Sequence, residues 1–201
     1  MKDPEPSGIP PAFWERRYEE GSTGWDLGEA FPGIAAALRW IPLGEEPVLV
    51  PGCGRGHDAA WFAERVYPVD GIDVSAAAIT AASERYGRPG LRFRKEDVVR
   101  AGALSSGTYR FAFEHTCLCA LDPGQWDRYI ANLRDAIRPG GRVFAVLFTG
   151  LENDDPPPFP VSPDEVRRLF GGWRRLSGPD EPLASVERRQ GRETTWVFEK
   201  P

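Results

Sequence analysis

The sequence predicts an α/β fold in which a mainly parallel β-sheet carries helices on both faces and ends in an antiparallel hairpin. Three observations lead to this prediction. Short apolar runs alternate with helical patterns, a glycine-rich turn follows the first strand-like run, and two strand-like segments close the chain. Alternation of strands with crossover helices favours a parallel sheet. At 201 residues, the chain is expected to form one domain with a sizeable core.

The composition restricts the class of protein. A net charge of −5 argues against a protein that wraps nucleic acid or depends on anionic membranes. Arginine doublets such as Arg188-Arg189 are scattered along the chain and are interpreted as solvated surface. No apolar run approaches the roughly 20 residues of a membrane helix, and the N-terminal residues lack the apolar core of a signal peptide.

The cysteines point to a reducing compartment. Cys53, Cys117 and Cys119 form an odd set, which is typical of proteins from a reduced interior. The Cys117-x-Cys119 spacing does not match a zinc site, and the chain has only two histidines. We therefore expect a monomeric cytoplasmic protein without a metal site.

The N-terminal region changes character after its prolines. Residues 1–12 contain four prolines and are predicted to form a flexible tail. A helix is predicted from Phe13 to Glu20, which places Trp14 and Tyr18 on one face because they are four residues apart. The chain then bends through glycines and presents Trp25. Aromatic residues at this spacing usually belong to a core, and from the pattern alone that interpretation stays open.

A glycine-rich turn links the first predicted strand to a helix. The strand covers Val48 to Val50, and Gly52, Gly54 and Gly56 follow it. Glycines permit positive φ angles and let a ligand approach the backbone, while the helix N-terminus offers unpaired N–H groups. The dinucleotide fingerprint requires a third glycine where this chain has His57, so a pyrophosphate is not the expected ligand. A tight strand–helix turn without a ligand is the alternative.

An acidic residue ends the second predicted strand, Pro68 to Ser75. Asp73 lies about twenty residues after Gly52, where a carboxylate at the strand tip accepts hydrogen bonds from ribose hydroxyls. The alternative is that Asp73 only caps the next predicted helix, Ser75 to Tyr86.

A second acidic tip follows on the third predicted strand, Leu91 to Val99. Asp97 at this tip is suited to accept a hydrogen bond from an adenine amino group, and Val98 is suited to pack against the ring. Glycine turn, ribose acid and adenine acid at successive tips indicate a nucleoside site that lacks a phosphate cradle.

The remaining elements follow from periodicity and turn residues. The further helices are predicted over Ile34–Trp40, over Asp58–Arg65, over Gln125–Ile137, which is amphipathic and is ended by Pro139-Gly140-Gly141, and from a cap at Ser162 to Phe170. The further strands are a fourth over Tyr109–Phe113 and a fifth over Arg142–Thr149, which a loop over Gly150–Pro160 follows. The chain is predicted to end in a hairpin that turns near Gln190-Gly191, with a last strand over Thr194–Glu199.

With these features, the sequence resembles the class I S-adenosylmethionine-dependent methyltransferases, and among them the thiopurine, thiol and halide methyltransferases. The aromatic segment Phe13–Ile34 and the segment Glu114–Pro123 carry the narrower resemblance. The likeness extends from about Phe13 to Phe198. It implies a Rossmann-like seven-stranded sheet in a single domain over residues 13–201, with S-adenosylmethionine as cofactor and a small molecule as methyl acceptor.

The resemblance also implies which residues form the site. Residues 13–34, here called the covering segment, are expected to lie over the cofactor, where aromatic faces attract its sulfonium cation. The expected cofactor contacts are Trp14, Tyr18, Trp25, Gly52, Cys53, Gly54, Asp73, Val74, Asp97, Val98 and His115. The expected acceptor contacts are Trp25, Phe31 and Phe159.

His115 follows the fourth predicted strand, in the tip Glu114-His115-Thr116, and is the candidate catalytic residue. It stands where thiopurine enzymes tend to carry Arg and the halide and thiol enzymes Tyr. A neutral imidazole there is able to take a proton from a thiol; a cofactor contact and a structural role are the alternatives. The chain lacks the Asn-Pro-Pro-aromatic motif that nucleobase methyltransferases often carry at this tip, which argues against nucleic-acid substrates.

The predicted reaction is in-line methyl transfer to a small soft nucleophile, such as a thiol, a thiopurine, a halide or a chalcogen compound. A small-molecule O- or N-methyltransferase and a non-catalytic S-adenosylmethionine-binding module are the alternatives. A nicotinamide dehydrogenase is disfavoured by His57.

Overall fold

The computed structural model describes residues 8–41, 47–65, 68–151, 155–179 and 184–201. Its helices are α1 (Pro11–Glu19), α2 (His57–Ala63), α3 (Ala76–Tyr86), α4 (Cys117–Ala120), α5 (Trp126–Ala136) and α6 (Pro163–Leu169). Its strands are β1 (Val48–Pro51), β2 (Val69–Asp73), β3 (Leu91–Lys95), β4 (Tyr109–His115), β5 (Ile137–Phe148), β6 (Arg174–Ser177) and β7 (Glu193–Glu199). Short 3₁₀ helices cover Ile34–Arg39, Pro123–Gln125 and Glu187–Arg189.

One seven-stranded sheet organises these elements, in the order β3-β2-β1-β4-β5-β7-β6. The pairs among β1 to β5 are parallel, and β7 pairs antiparallel with both β5 and β6. The predicted α/β fold is therefore confirmed. The strand order reverses between β1 and β4, and open α/β sheets bind ligands beyond the carboxyl ends of strands at such a switch point.

The sheet buries side chains on both of its faces. Along β5, Val143 and Ala145 belong to one core cluster, whereas Phe144 and Val146 belong to the other, because successive residues of a strand point to opposite faces. The first cluster includes the apolar face of α5, and the second includes the buried residues of α2. The prediction of helices on both faces is confirmed. None of the described helices is long and apolar enough to cross a bilayer.

The N-terminal elements differ in detail from their predictions. Helix α1 begins at Pro11, inside the stretch predicted as a tail, since proline has no N–H to lose at the first helical position. Residues 1–7 of that predicted tail lie outside the described residues. The predicted helix over Ile34–Trp40 is a 3₁₀ helix that ends at Arg39.

Strand β5 begins at Ile137, before the Pro139-Gly140-Gly141 stretch that was predicted to end the preceding helix. Helix α5 ends at Ala136, and Ile137 already pairs with Tyr109 of β4. The pairing then skips residues 138–141 and resumes with Arg142 opposite Phe111. Pro139-Gly140-Gly141 therefore forms an irregularity within the strand.

The C-terminal hairpin is wider than predicted. Strand β6 ends at Ser177, so the connection to β7 covers residues 178–192 instead of turning near Gln190-Gly191. The described part of this connection contains the 3₁₀ helix Glu187–Arg189, which precedes β7 in the chain.

Candidate active site

A cavity of about 470 Å³ opens beyond the carboxyl ends of β1 to β4. Its volume falls in the range of small-molecule sites. Every predicted cofactor contact lines it: Trp14, Tyr18, Trp25, Gly52, Cys53, Gly54, Asp73, Val74, Asp97, Val98 and His115. Of the predicted acceptor contacts, Trp25 lines it, and Phe31 and Phe159 are not among its lining residues.

The tips of β1 and β2 are joined by hydrogen bonds to one carboxylate. Asp73 Oδ2 accepts from the Gly54 N–H at 2.9 Å, and Asp73 Oδ1 accepts from the Ser75 N–H at 2.9 Å. Burial raises the pKa of the Asp73 carboxyl, and the backbone donors of Ser75, Gly54 and Val74 offset part of that effect. Helix α3 is capped by Ser75, whose side chain accepts from the Ala78 N–H. Asp73 therefore supports the glycine turn in addition to preceding the cap.

The third tip presents the expected acid and apolar side chain. Asp97 Oδ1 accepts from the Val99 N–H at 3.0 Å, and Val98 is buried. The neighbouring Glu96 pairs with Arg100 at 2.7 Å instead. Asp97 and Val98 both face the cavity.

Three aromatic side chains of the covering segment form a cluster at the cavity wall. The Trp25 ring lies edge-to-face against Trp14 at 5.3 Å and against Tyr18 at 5.7 Å. Trp25 Nε1 also donates to the Tyr18 hydroxyl at 3.3 Å. No residue of α1 is buried. The cluster is therefore a wall of the cavity and not part of the protein core.

Polar contacts attach the covering segment to the body of the protein. Glu15 accepts hydrogen bonds from the N–H groups of Ala76 and Ala77, in the first turn of α3, at 2.6 and 3.1 Å. The Asp26 carboxylate lies 3.3 Å from Arg55, in the glycine turn, and 3.2 Å from His57, the first residue of α2. The adjacent His57 side chain holds the pKa of the Asp26 carboxyl below its usual value.

His115 is held from behind by the end of the covering segment. Its Nδ1 lies 2.8 Å from Asp58 Oδ2, and Asp58 Oδ1 accepts from the Phe31 N–H at 2.8 Å. The Phe31 ring centroid is 4.6 Å from that of His115, and Phe31 is only 1% exposed. Phe31 thus supports the imidazole from the core, which corrects its prediction as an acceptor contact.

Phe159 also lies away from the cavity wall. Its N–H donates to the Cys119 carbonyl at 2.7 Å, and its ring packs on the first core cluster. Pro157 and Pro158 line the cavity from the same loop. The loop therefore lines the cavity through these prolines and not through Phe159, the residue predicted from it.

The lining residues fit a nucleoside that carries a cation. Bare backbone at Gly52 and Gly54 allows close approach, Asp73 and Asp97 offer acceptors at successive tips, and the aromatic cluster suits a positive charge.

Comparison with known proteins identifies the family of the chain. The model of the family described as thiopurine S-methyltransferase (TPMT) matches residues 9–200. The chain belongs to the thiopurine S-methyltransferase family. The probable thiol methyltransferase 2 of Arabidopsis thaliana is 30% identical over 193 residues, which cover 93% of this chain and 84% of that protein. Thiocyanate methyltransferase 1 of Brassica oleracea is 28% identical, over 97% of this chain and 88% of its own length.

A solved structure supports the fold. The 1,6-didemethyltoxoflavin-N1-methyltransferase of Burkholderia thailandensis, bound to S-adenosylhomocysteine, matches with a TM-score of 0.72 at 19% identity, over 94% of this chain and 86% of that chain. Family and fold together make the protein an S-adenosylmethionine-dependent methyltransferase with a small-molecule acceptor. The predicted cofactor and reaction class are confirmed.

Sequence reasoning missed the basic edge of this methyltransferase cavity, where Arg188, Arg189 and Arg192 lie. Arg189 is only 6% exposed, so its interpretation as solvated surface was wrong. Its Nη1 donates to Glu193 Oε1 at 3.0 Å and lies 3.4 Å from His115 Nε2, while its Nη2 donates to the Trp25 carbonyl. The spacing of Arg189 and Glu193, four residues apart before an apolar strand, is the local signal for this buried pair.

The sequence analysis also did not predict helix α4, which begins two residues after His115. The preceding Glu114 is buried, and its Oε1 accepts from the Leu118 N–H at 2.7 Å. Burial raises the pKa of the Glu114 carboxyl to about 7. Thr116, which lies between His115 and α4, has a left-handed φ of 58°. Glu114 thus anchors the turn that directs Cys117 and Leu121 to the cavity.

Proposed function

We propose that this methyltransferase binds S-adenosylmethionine across the tips of β1 to β3 and methylates a small, soft, anionic acceptor at the basic edge. The observation that carries the proposal is the continuity of the cavity. The same space is lined by Asp73 and Asp97 at one end and by His115, Arg189 and Arg192 at the other.

On the cofactor side, each contact has a separate task. Asp73 accepts from the ribose hydroxyls, Asp97 accepts from the adenine amino group, and Val98 packs on the ring. The backbone of the glycine turn at Gly52 and Gly54 would hold the amino-acid part of the cofactor. The aromatic cluster of Trp14, Tyr18 and Trp25 would face the sulfonium and keep water out.

On the acceptor side, alignment provides most of the rate. S-Adenosylmethionine supplies an electrophilic methyl group on a positively charged sulfur. The walls of the cavity hold the acceptor in line behind it, and such near-attack alignment is worth roughly 7–11 kcal/mol. Of the acceptor contacts predicted from the sequence, we keep Trp25. In place of Phe31 and Phe159, the side chains of Phe148 and Leu151 provide the apolar walls around the acceptor.

His115 is proposed to take the proton when the acceptor is a thiol. As the acceptor sulfur forms its bond to the methyl carbon, its proton passes to Nε2, and the electron pair of the broken bond stays on the donor sulfur. The imidazolium then returns the proton to solvent. A halide has no proton to lose and does not need this step.

The basic edge supports an anionic acceptor. Arg192 is exposed, and among the described residues no partner for its guanidinium is found. A free positive charge at the mouth of a cavity raises the local concentration of anions. The thiocyanate, thiol and thiopurine acceptors in the names of the relatives are soft nucleophiles of this kind.

An acceptor screen with labelled S-adenosylmethionine and volatile-product detection tests the proposal. We expect methylated products from thiols, iodide or thiocyanate. Arg192→Gln should raise KM for mercaptoacetate about 2- to 5-fold more than for the neutral 2-mercaptoethanol, because an exposed charge pair is worth ~0.2–1 kcal/mol. Binding of S-adenosylhomocysteine without any methylated product would instead indicate a non-catalytic module.

We further propose that the enzyme works as a monomer in the cytoplasm on acceptors that are neither nucleic acid nor membrane-bound. The free thiols of Cys53, Cys117 and Cys119 and the net charge of −5 support this. Light scattering at working concentration tests the monomer.

A further inference from the structure

One carboxylate connects the covering segment to the proposed catalytic histidine. Asp58, the second residue of α2, accepts from the Phe31 N–H through Oδ1 and meets His115 Nδ1 through Oδ2, both at 2.8 Å. Its side chain is 14% exposed, and that of His115 is 13% exposed. Phe31 belongs to the covering segment and His115 ends β4, so Asp58 joins two parts that are distant in sequence.

The neighbours of His115 specify a single tautomer. An ionised carboxylate only accepts hydrogen bonds, so Nδ1 next to Asp58 must carry the ring proton. On the other side, Arg189 Nη1 lies 3.4 Å from Nε2, but this contact is long, and the same nitrogen donates to Glu193 Oε1 at 3.0 Å. The short contact with Asp58 therefore sets the tautomer, and it leaves Nε2 without a proton in the neutral ring.

We propose that Asp58 is a positioning residue that holds His115 in the Nδ1–H tautomer and so keeps Nε2 ready for the proton of the acceptor. The same carboxylate links this orientation to the seating of the covering segment through Phe31. The inference rests on the proposed role of His115 as the proton acceptor. It adds the residue that makes that role possible and the coupling of that residue to the segment above the site.

The substitution Asp58→Asn separates this role from simple bracing. The amide is nearly isosteric, and its oxygen can still accept from the Phe31 N–H while its NH₂ group faces Nδ1. A donor at that place favours the opposite tautomer, with the proton on Nε2. In Ser-His-Asp triads, the corresponding amide lowers kcat by about 10⁴-fold for this reason.

Ring-nitrogen NMR reports the tautomer without any methyl acceptor. The chain has only two histidines, so His57→Gln leaves His115 as the single imidazole to observe. We expect the proton on Nδ1 in the parent and on Nε2 in Asp58→Asn. Asp26→Asn in the same background is the matched control, because the Asp26 carboxylate faces position 57 and not His115, and it should leave the His115 tautomer unchanged.

Methylation rates complete the test. Asp58→Asn should slow thiol methylation by about 10²–10⁴-fold, the usual contribution of one general base, while iodide methylation is retained. Asp58→Glu keeps a carboxylate and should restore the Nδ1–H tautomer and much of the thiol rate.

An unchanged tautomer in Asp58→Asn, or equal losses with thiol and iodide in a folded variant, would overturn the inference. A changed tautomer with an unchanged thiol rate would also overturn it. A parent enzyme that methylates no thiol, with the tautomer still switching, would instead locate the failure in the proposed function.

Discussion

The Tyr18 hydroxyl lies directly over Gly54. A Cβ atom built at Gly54 would come within 2.8 Å of that hydroxyl, and the Gly54 φ of 51° also disfavours any other residue. The Gly54 N–H donates to Asp73 from the same turn. The covering segment, the glycine turn and the proposed ribose acid therefore meet at one point. Displacement of the covering segment should accordingly lower the affinity for the cofactor.

Loss of the Glu15 contacts should loosen α1. Helix α1 has no buried residue, and Glu15 attaches it to the first turn of α3. Removing a helix cap costs about 0.5–2 kcal/mol, so Glu15→Ala should increase hydrogen exchange over residues 13–25 and weaken S-adenosylhomocysteine. Glu19→Ala, an exposed acid on the same helix, is the control.

In the parent protein, S-adenosylhomocysteine should protect residues 14–25 from exchange. Identical protection with and without the ligand would show that the segment does not cover the cofactor.

Removal of the Asp73 carboxylate should weaken cofactor binding. Asp73→Ala is expected to reduce the affinity for S-adenosylhomocysteine by about 1.5–3 kcal/mol, the range for hydrogen bonds to a charged group. Calorimetry measures this, with circular dichroism to verify the fold. Glu96→Ala is the matched control, because Glu96 also lines the cavity but pairs with Arg100. Equal affinities for the Asp73 variant and the parent would refute the assignment.

The two kinds of acceptor distinguish the roles of His115. If the imidazole takes the thiol proton, His115→Ala should lower thiol methylation by about 10²–10⁴-fold and leave iodide methylation nearly unchanged. If His115 only orders the cofactor, both rates should fall together and the affinity for S-adenosylhomocysteine should drop. Steady-state rates for both acceptors on one variant decide between these roles.

The buried Glu114 carboxyl should make stability depend on pH. Its pKa is about 7 in the folded protein against the usual 4.5, so between these values the folded state holds a proton that the unfolded state has released. The free energy of unfolding should therefore fall as pH rises from 4.5 to 7.

Glu114→Gln removes this dependence. Denaturant unfolding should show the variant gaining about 2–3 kcal/mol relative to the parent between pH 5 and pH 8, because most of the shifted titration falls in this range. A difference between the two proteins that is the same at both pH values would contradict this account.

Local patterns predicted the parts of the site that lie at strand tips. Gly54, Asp73 and Asp97 each lie at or just after the end of a predicted strand, and parallel strands bring such tips to one edge of the sheet. The contacts that sequence patterns missed connect distant positions. His115 is 57 residues from Asp58 and 74 from Arg189, and no local periodicity reports which side chains meet after the strands are ordered.

The same limit explains the error at Phe31. Its aromatic character suits either a pocket wall or a core, and only the packing of the 3₁₀ helix against the sheet places it behind His115. Likewise, the long connection before β7 determines that Arg189 turns inward to Glu193.

A crystal structure of the complex with S-adenosylhomocysteine is the most direct measurement. The account predicts ribose hydroxyls within hydrogen-bond distance of Asp73, the adenine ring against Val98 and Asp97, and the thioether sulfur directed toward His115 and the basic edge. A nucleoside bound away from Asp73, or a sulfur directed away from His115 and the basic edge, would contradict it.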